Sequence, residues 1–155
     1  MTNTKRILVA TDFSRASHAA LRAAFRLARE TRASVLIAHV MEVPVPMAEG
    51  YFLPRMYDEM AKAVQEQASA RMKRIVALAR RAGVSARGLL LRGAPHEAIV
   101  RAAKAHDVDQ VVVGTHGRTG FSRLLLGSVA SRVIGTCPRP TLVVPAGRGR
   151  GRRAA

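Results

Sequence analysis

Val111, Val112 and Val113 follow one another with no polar residue between them. Successive side chains of a strand point to opposite faces, so such a run has no face to give to water and suits a parallel sheet covered on both sides. Similar runs recur as Ile7-Leu8-Val9, within residues 33–40, as Leu89-Leu90-Leu91 and as Leu142-Val143-Val144. Helical periodicity fills the intervals. Leu21, Ala24, Phe25 and Ala28 mark one helix over residues 14–31, and Met60, Val64, Ala68, Met72 and Ile75 mark a long one over residues 56–82 that stops at Gly83. Gly93-Ala94-Pro95 opens another, with proline in the first turn, Glu97 complementing the dipole, and Ile99, Ala102 and Ala103 facing inward. Strands alternating with helices predict an α/β fold with an open five-stranded parallel sheet and helices on both faces. Residues 41–54 contain Pro44, Pro46, Gly50 and Pro54 and cannot form one regular element. They read either as a loop beside the site or as an apolar linker with Tyr51 and Phe52 packed down.

The candidate site lies where the triple-valine strand ends. Gly114 closes the strand, Gly117 and Gly120 follow among small polar and basic residues, and Gly127-Ser128 leads into a helical stretch with Val129, Val133 and Ile134. Glycines let backbone N–H groups approach an anion, and a helix N-terminus adds partial positive charge. The Ser128 hydroxyl can donate to a phosphate oxygen. Neither a P-loop Gly-x-x-x-x-Gly-Lys-Ser/Thr nor a Gly-x-Gly-x-x-Gly turn after the first strand is present. At the carboxyl end of the first strand stands Asp12, placed to contact a ligand in the crevice of an open sheet or to cap the next helix together with Ser14.

Gly114 and Gly117 stand two residues apart and Gly117 stands nine before Gly127-Ser128, a spacing that resembles the ATP-binding signature of the universal stress protein family. The opening Ile-Leu-Val-Ala-Thr-Asp of residues 7–12 and the closing Thr-Leu-Val-Val-Pro of residues 141–145 extend the resemblance over nearly the whole chain. It implies an adenine nucleotide alpha hydrolase-like sheet of order 3-2-1-4-5, with one domain over residues 1–146. It also implies adenosine near Thr11, Asp12 and the backbone of Val40. The triphosphate would then rest against Gly114, Gly117, Gly127, Ser128 and the Val129 N–H, with His116 or Arg118 adding charge. ATP or another adenine nucleotide would bind with Mg2+, whose ligands the motif does not name. The resemblance further implies a homodimer through Thr141, Leu142, Val143 and Val144, an apolar edge strand that a second copy can cover. The favoured function is an ATP-binding stress-response protein whose occupancy shifts conformation or partner. A slow ATP hydrolase or phosphotransferase is the alternative, and the missing base and P-loop lysine count against efficient turnover.

The chain carries a formal charge of +16, from 26 Lys and Arg against 10 Asp and Glu in 155 residues. That invites a nucleic-acid reading. The basic residues are spread over helix surfaces, however, aromatics for stacking are few, and no nucleic-acid-binding motif is recognisable. Solubilisation or non-specific polyanion contact is the plainer expectation. The tail over residues 147–155, with Arg148, Arg150, Arg152 and Arg153 among glycines, reads as disordered and available for such contact. Cys137 is the single cysteine and no apolar run approaches the ~20 residues of a membrane span, which points to the cytoplasm. His18, His39, His96, His106 and His116 show no metal-ligand spacing. His39 reads as a packed strand residue, and Ser128 lacks a nucleophile elbow, so no catalytic residue emerges.

Overall fold

The computed structural model of the chain describes residues 5–48, 50–116 and 126–146. Its strands are β1 (Arg6–Ala10), β2 (Ser34–Met41), β3 (Met47–Ala48), β4 (Tyr51–Phe52), β5 (Ala86–Arg92), β6 (Gln110–Gly114) and β7 (Thr141–Val144). The helices are α1 (Ser17–Thr31), α2 (Pro54–Arg81), α3 (Pro95–Ala105) and α4 (Ser128–Thr136). Five strands form one parallel sheet in the order β5-β2-β1-β6-β7, which is the expected 3-2-1-4-5 once the two short strands are set aside. Those two form a separate antiparallel hairpin.

The apolar runs divide between two cores as strand pleating demands. Ile7 and Val9 of β1, Val35 and Ile37 of β2, and Val112 of β6 pack with Leu21, Ala24 and Ala28 of α1 and Met72 and Ala79 of α2. Leu8, Leu36, Val111 and Val113 point the other way, onto Ile99, Ala102 and Ala103 of α3 and Ala130 and Val133 of α4. Each neighbouring pair of strand residues therefore serves opposite layers, and that is why alternation is missing from the sequence. Alanine keeps the helices close to the sheet: Ala20, Ala24, Ala79 and Ala103 are fully or almost fully buried. Pro54 and Pro95 each sit in the first turn of a helix, where the missing N–H costs nothing.

Of the two arrangements expected for residues 41–54, the packed-down linker is not the one formed: the segment is a connection that carries a short hairpin. Met47 pairs with Phe52 and Ala48 with Tyr51, and both aromatic side chains stay exposed, Tyr51 at 75%. The ring of Phe52 lies 5.8 Å from that of Tyr57. Gly117, Arg118 and the tail over residues 147–155 fall outside the described residues.

Candidate functional site

β1 and β6 are adjacent in the sheet, but the chain leaves β1 toward β2 and leaves β6 toward β7. The strand order reverses between them, and at such a point the loops diverge and leave a crevice beyond the carboxyl ends. A cleft of about 350 Å³ occupies that place, lined from β1, β2, β6 and the first turns of α3 and α4. Its size falls in the range of about 300–1,000 Å³ usual for small-molecule sites. Thr11, Asp12, Val40, Gly114, His116, Gly127, Ser128 and Val129 all line it.

One wall is built of side chains. After Ala10 the chain turns through Phe13, a non-glycine residue at φ 62°, a left-handed conformation that persists only where its surroundings hold it. They do so here. The Phe13 N–H donates to Thr11 Oγ1 at 3.1 Å, its ring lies 4.0 Å from that of His39, and Arg71 stands 5.7 Å over it. The Ser14 N–H donates to Asp12 Oδ1 at 2.9 Å, and Thr11 Oγ1 and Ser17 Oγ share a buried hydrogen bond of 2.9 Å. Burial pushes the Asp12 carboxyl upward, but hydrogen bonds from the Ser14 side chain and backbone and from Ser17 outweigh it, and the acid is held below its ordinary value. Asp12 is thus ionised at neutral pH. His39 is a packed strand residue as expected, with Nδ1 2.9 Å from Thr11 O, yet it also lines the cleft.

The register of β2 prepares a second contact. Thr11 N donates to Ala38 O at 2.8 Å, so the peptide groups of Ala38 face β1. Those of Val40, two residues on, face the same way but lie past the end of β1. Parallel strands direct a residue's N–H and C=O to one side together. Val40 therefore presents a donor and an acceptor to the cleft.

The opposite wall is built of backbone. Gly127 caps α4 at φ −59°, a value any residue adopts. What it needs is space: a Cβ there would sit 2.8 Å from Thr115 O, the carbonyl that accepts the Gly127 N–H at 2.7 Å. Gly114 is different, since a Cβ would meet ordinary contacts at 3.5 Å or more; its bare backbone leaves room in the cleft without being demanded by packing. The first intrahelical bond of α4 runs from the Ser131 N–H to Gly127 O at 2.9 Å. Ser128, Val129 and Ala130 precede it, so their N–H groups have no intrahelical acceptor and carry the positive end of the helix dipole into the cleft.

Thr115, absent from the sequence reading, fastens this wall. Its N–H donates to Val144 O at 2.9 Å, its carbonyl receives Gly127, and its Oγ1 lies 3.0 Å from His116 Nδ1. Ser17, Glu42, Pro95 and Ile99 also line the cleft unanticipated. Thr11, Ser14 and Ser17 recur every third residue, a hydroxyl pattern that marks the turn; nothing local marks Glu42, Pro95 or Ile99. Among the described residues no three His, Cys, Asp or Glu side chains cluster to hold a metal.

The sequence profile of the universal stress protein family matches residues 3–145. The chain belongs to that family. A universal stress protein of Methanocaldococcus jannaschii, MJ0531, is 35% identical over 90% of this chain and 81% of its own length. A second from that organism, MJ0577, is 28% identical, and its solved structure superposes with a TM-score of 0.83 over 96% of this chain and all of the other. Universal stress protein UspA of Lactobacillus plantarum, 23% identical with a TM-score of 0.81 over 93% of this chain and 99% of its own, shares the fold. The sheet order and the helix cover on both faces are accordingly the universal stress protein architecture.

Proposed function

We propose that this cleft binds an adenine nucleotide, ATP foremost, and that occupancy directs a stress response by changing conformation or partner choice. The observation that carries this is the pairing of its two walls. A helix N-terminus on a glycine with no room for a side chain supplies backbone donors for phosphate oxygens, and an ionised carboxylate across the cleft supplies an acceptor for ribose hydroxyls. Between them the Val40 peptide offers one donor and one acceptor, the complement of the adenine edge. Universal stress proteins of this fold have been solved with cAMP and, from Archaeoglobus fulgidus, with dAMP, at 24% and 23% identity and TM-scores of 0.68 and 0.62. They cover 94% and 92% of this chain and 100% and 99% of their own. Their likeness to this chain is one of fold, and the local chemistry supports the nucleotide here. Gly117 and Arg118 belong to the proposal through the sequence spacing alone.

Mg2+ would be held chiefly by the phosphates and water, with Asp12 and Glu42 the carboxylates at the cleft to supplement them. Denaturing freshly purified protein and running the supernatant on anion exchange tests the reading. Adenine nucleotide near one per chain is expected; an empty supernatant together with no calorimetric binding of ATP, ADP or AMP would overturn it. Single-turnover assays with bound ATP then separate a binding switch from a slow hydrolase.

The assembly we propose is a homodimer through β7. This strand ends the sheet, Leu142 is exposed, and Pro140 and Pro145 bracket the four residues that a second copy would pair with. Val143→Lys should shift the particle to monomer in sedimentation, and a parent that is monomeric at micromolar concentration refutes the interface. No helix among the described residues is long and apolar enough to cross a membrane, and we place the protein in the cytoplasm.

A further inference from the structure

The two helical layers differ sharply in charge. α1 carries Arg22, Arg26 and Arg29, with Arg15 and Arg32 flanking it and Glu30 its one acid. The second half of α2 carries Arg71, Lys73, Arg74, Arg80 and Arg81 and no acid at all, whereas its first half mixes Arg55 and Lys62 with Asp58, Glu59 and Glu66. Both stretches cover the same face of the sheet, through Leu21, Ala24 and Ala28 from α1 and Met72 and Ala79 from α2. The opposite face has Arg101, Lys104 and Arg132 with Glu97, and Arg101 is paired with Glu97 at 3.6 Å. Among the described residues, half of the lysines and arginines thus fall on these two stretches, on one side of the sheet.

The arrangement within that side is ordered. At about 100° per residue, Arg22, Arg26 and Arg29 fall within about 60° of one another, roughly opposite the buried stripe of Ala20, Leu21, Ala24 and Ala28. All three are exposed. Arg71, Arg74 and Arg81 fall within about 80° on one flank of α2, the flank that brings Arg71 over the Phe13 ring at the start of α1. The ion pairs among the described residues, at Glu97 and Asp107, involve none of these six.

We infer that the α1–α2 face is a docking surface for the phosphate backbone of double-stranded nucleic acid, without base recognition. The chemistry selects this partner over other anions. Nine of the ten basic groups are arginine, whose planar fork matches phosphate oxygens. A duplex presents one charge per about 1.7 Å of axis, so rows of about 10 Å on α1 and about 15 Å on α2 face several phosphates in any register. Among the described residues the exposed aromatics, Tyr51 and Phe52, lie on the hairpin, and the two at this face, Phe13 and Phe25, are half-buried against the core, so the face lacks the open stacking platform that a single strand requires. A membrane surface would need a band of exposed apolar residues beside the cations; α1 has turned its own into the core, and on the second half of α2 Leu78 is the single large apolar side chain left exposed.

The test is fluorescence anisotropy of the full chain with a mixed-sequence 20-base-pair DNA over a salt series. R22Q/R26Q/R29Q should lower affinity about tenfold or more near 0.1 M salt and reduce the slope of log K against log salt by about 2.7. R74Q/R81Q, a separate pair, should reduce the slope by about 1.8, while R101Q/K104Q/R132Q on the other face should change neither quantity. ATP affinity and circular dichroism of each variant confirm that the domain is intact. A chain lacking residues 147–155 should keep most of the slope. If that deletion removes the binding and the helix variants do not, the basic tail is the contact and the inference fails. It also fails if phosphatidylserine vesicles or a single strand of equal length bind more tightly than the duplex and show the same dependence on these arginines. Because ATP binding is read separately, loss of one does not imply loss of the other.

Discussion

The two walls of the cleft solve the same problem with different materials. On the β1 side, Thr11, Asp12, Ser14 and Ser17 form a web of side-chain hydrogen bonds around a strained Phe13. On the α4 side the working groups are peptide N–H donors, and the side chains matter mainly by being small or by fastening the loop, as Gly127 and Thr115 do. A side-chain wall can be tuned by charge and pH; a backbone wall is indifferent to both and sensitive to bulk.

The sharpest way to break the contrast is to add volume to the backbone wall. Gly127→Val forces atoms toward a carbonyl that a Cβ alone would meet at 2.8 Å, so the turn must move. ATP affinity should fall by about a hundredfold or more, the loss of two or so charge-assisted hydrogen bonds, with Gly114→Ala much milder in the same calorimetry. Equal effects at the two glycines would mean that space, not the turn itself, is what the nucleotide needs.

Asp12→Asn tests the opposite wall through charge at constant size. Loss of one hydrogen bond to a charged acceptor predicts about ten- to a hundredfold weaker binding. Because the folded carboxyl is held below its ordinary value, its stabilising contribution is complete above about pH 4, the unfolded range, and disappears as pH falls through the folded value. Asp109, held down by the Arg6 and Lys5 N–H groups, acts in the same direction. Acid titration of unfolding should therefore be less steep in Asp12→Asn than in the parent, and an unchanged profile would show that the web does not stabilise the ionised form.

Smaller effects separate side chain from backbone within the α4 wall. Ser128→Ala removes one donor and leaves its N–H in place, so about a tenfold loss of ATP affinity is expected. Thr115→Val keeps both backbone bonds and removes only the hydroxyl beside His116, which predicts a change of about fivefold or less. Were Thr115→Val the more damaging of the two, the hydroxyl and not the peptide would be the fastening.

The sequence by itself determined the layers. Runs such as Val111 to Val113 have no side to expose, helices rich in small residues have one side to bury, and together these permit little besides a covered parallel sheet. It also determined the glycine turn and the acid at the end of β1, since steric and ionic needs are written in single residues. Tertiary structure alone decided what lies across from what. That Thr115 holds Gly127 and Val144, that Val40 faces past the end of β1, and that Ser17, Glu42, Pro95 and Ile99 share one cleft depend on strand register and on which strands are neighbours. The exposed hairpin at Tyr51 and Phe52 and the gathering of arginines on α1 and α2 have the same origin. Local preference fixes which face of an element is apolar, but the partner that covers it, and so the side on which the remaining charge collects, is chosen by contacts between residues far apart in the chain.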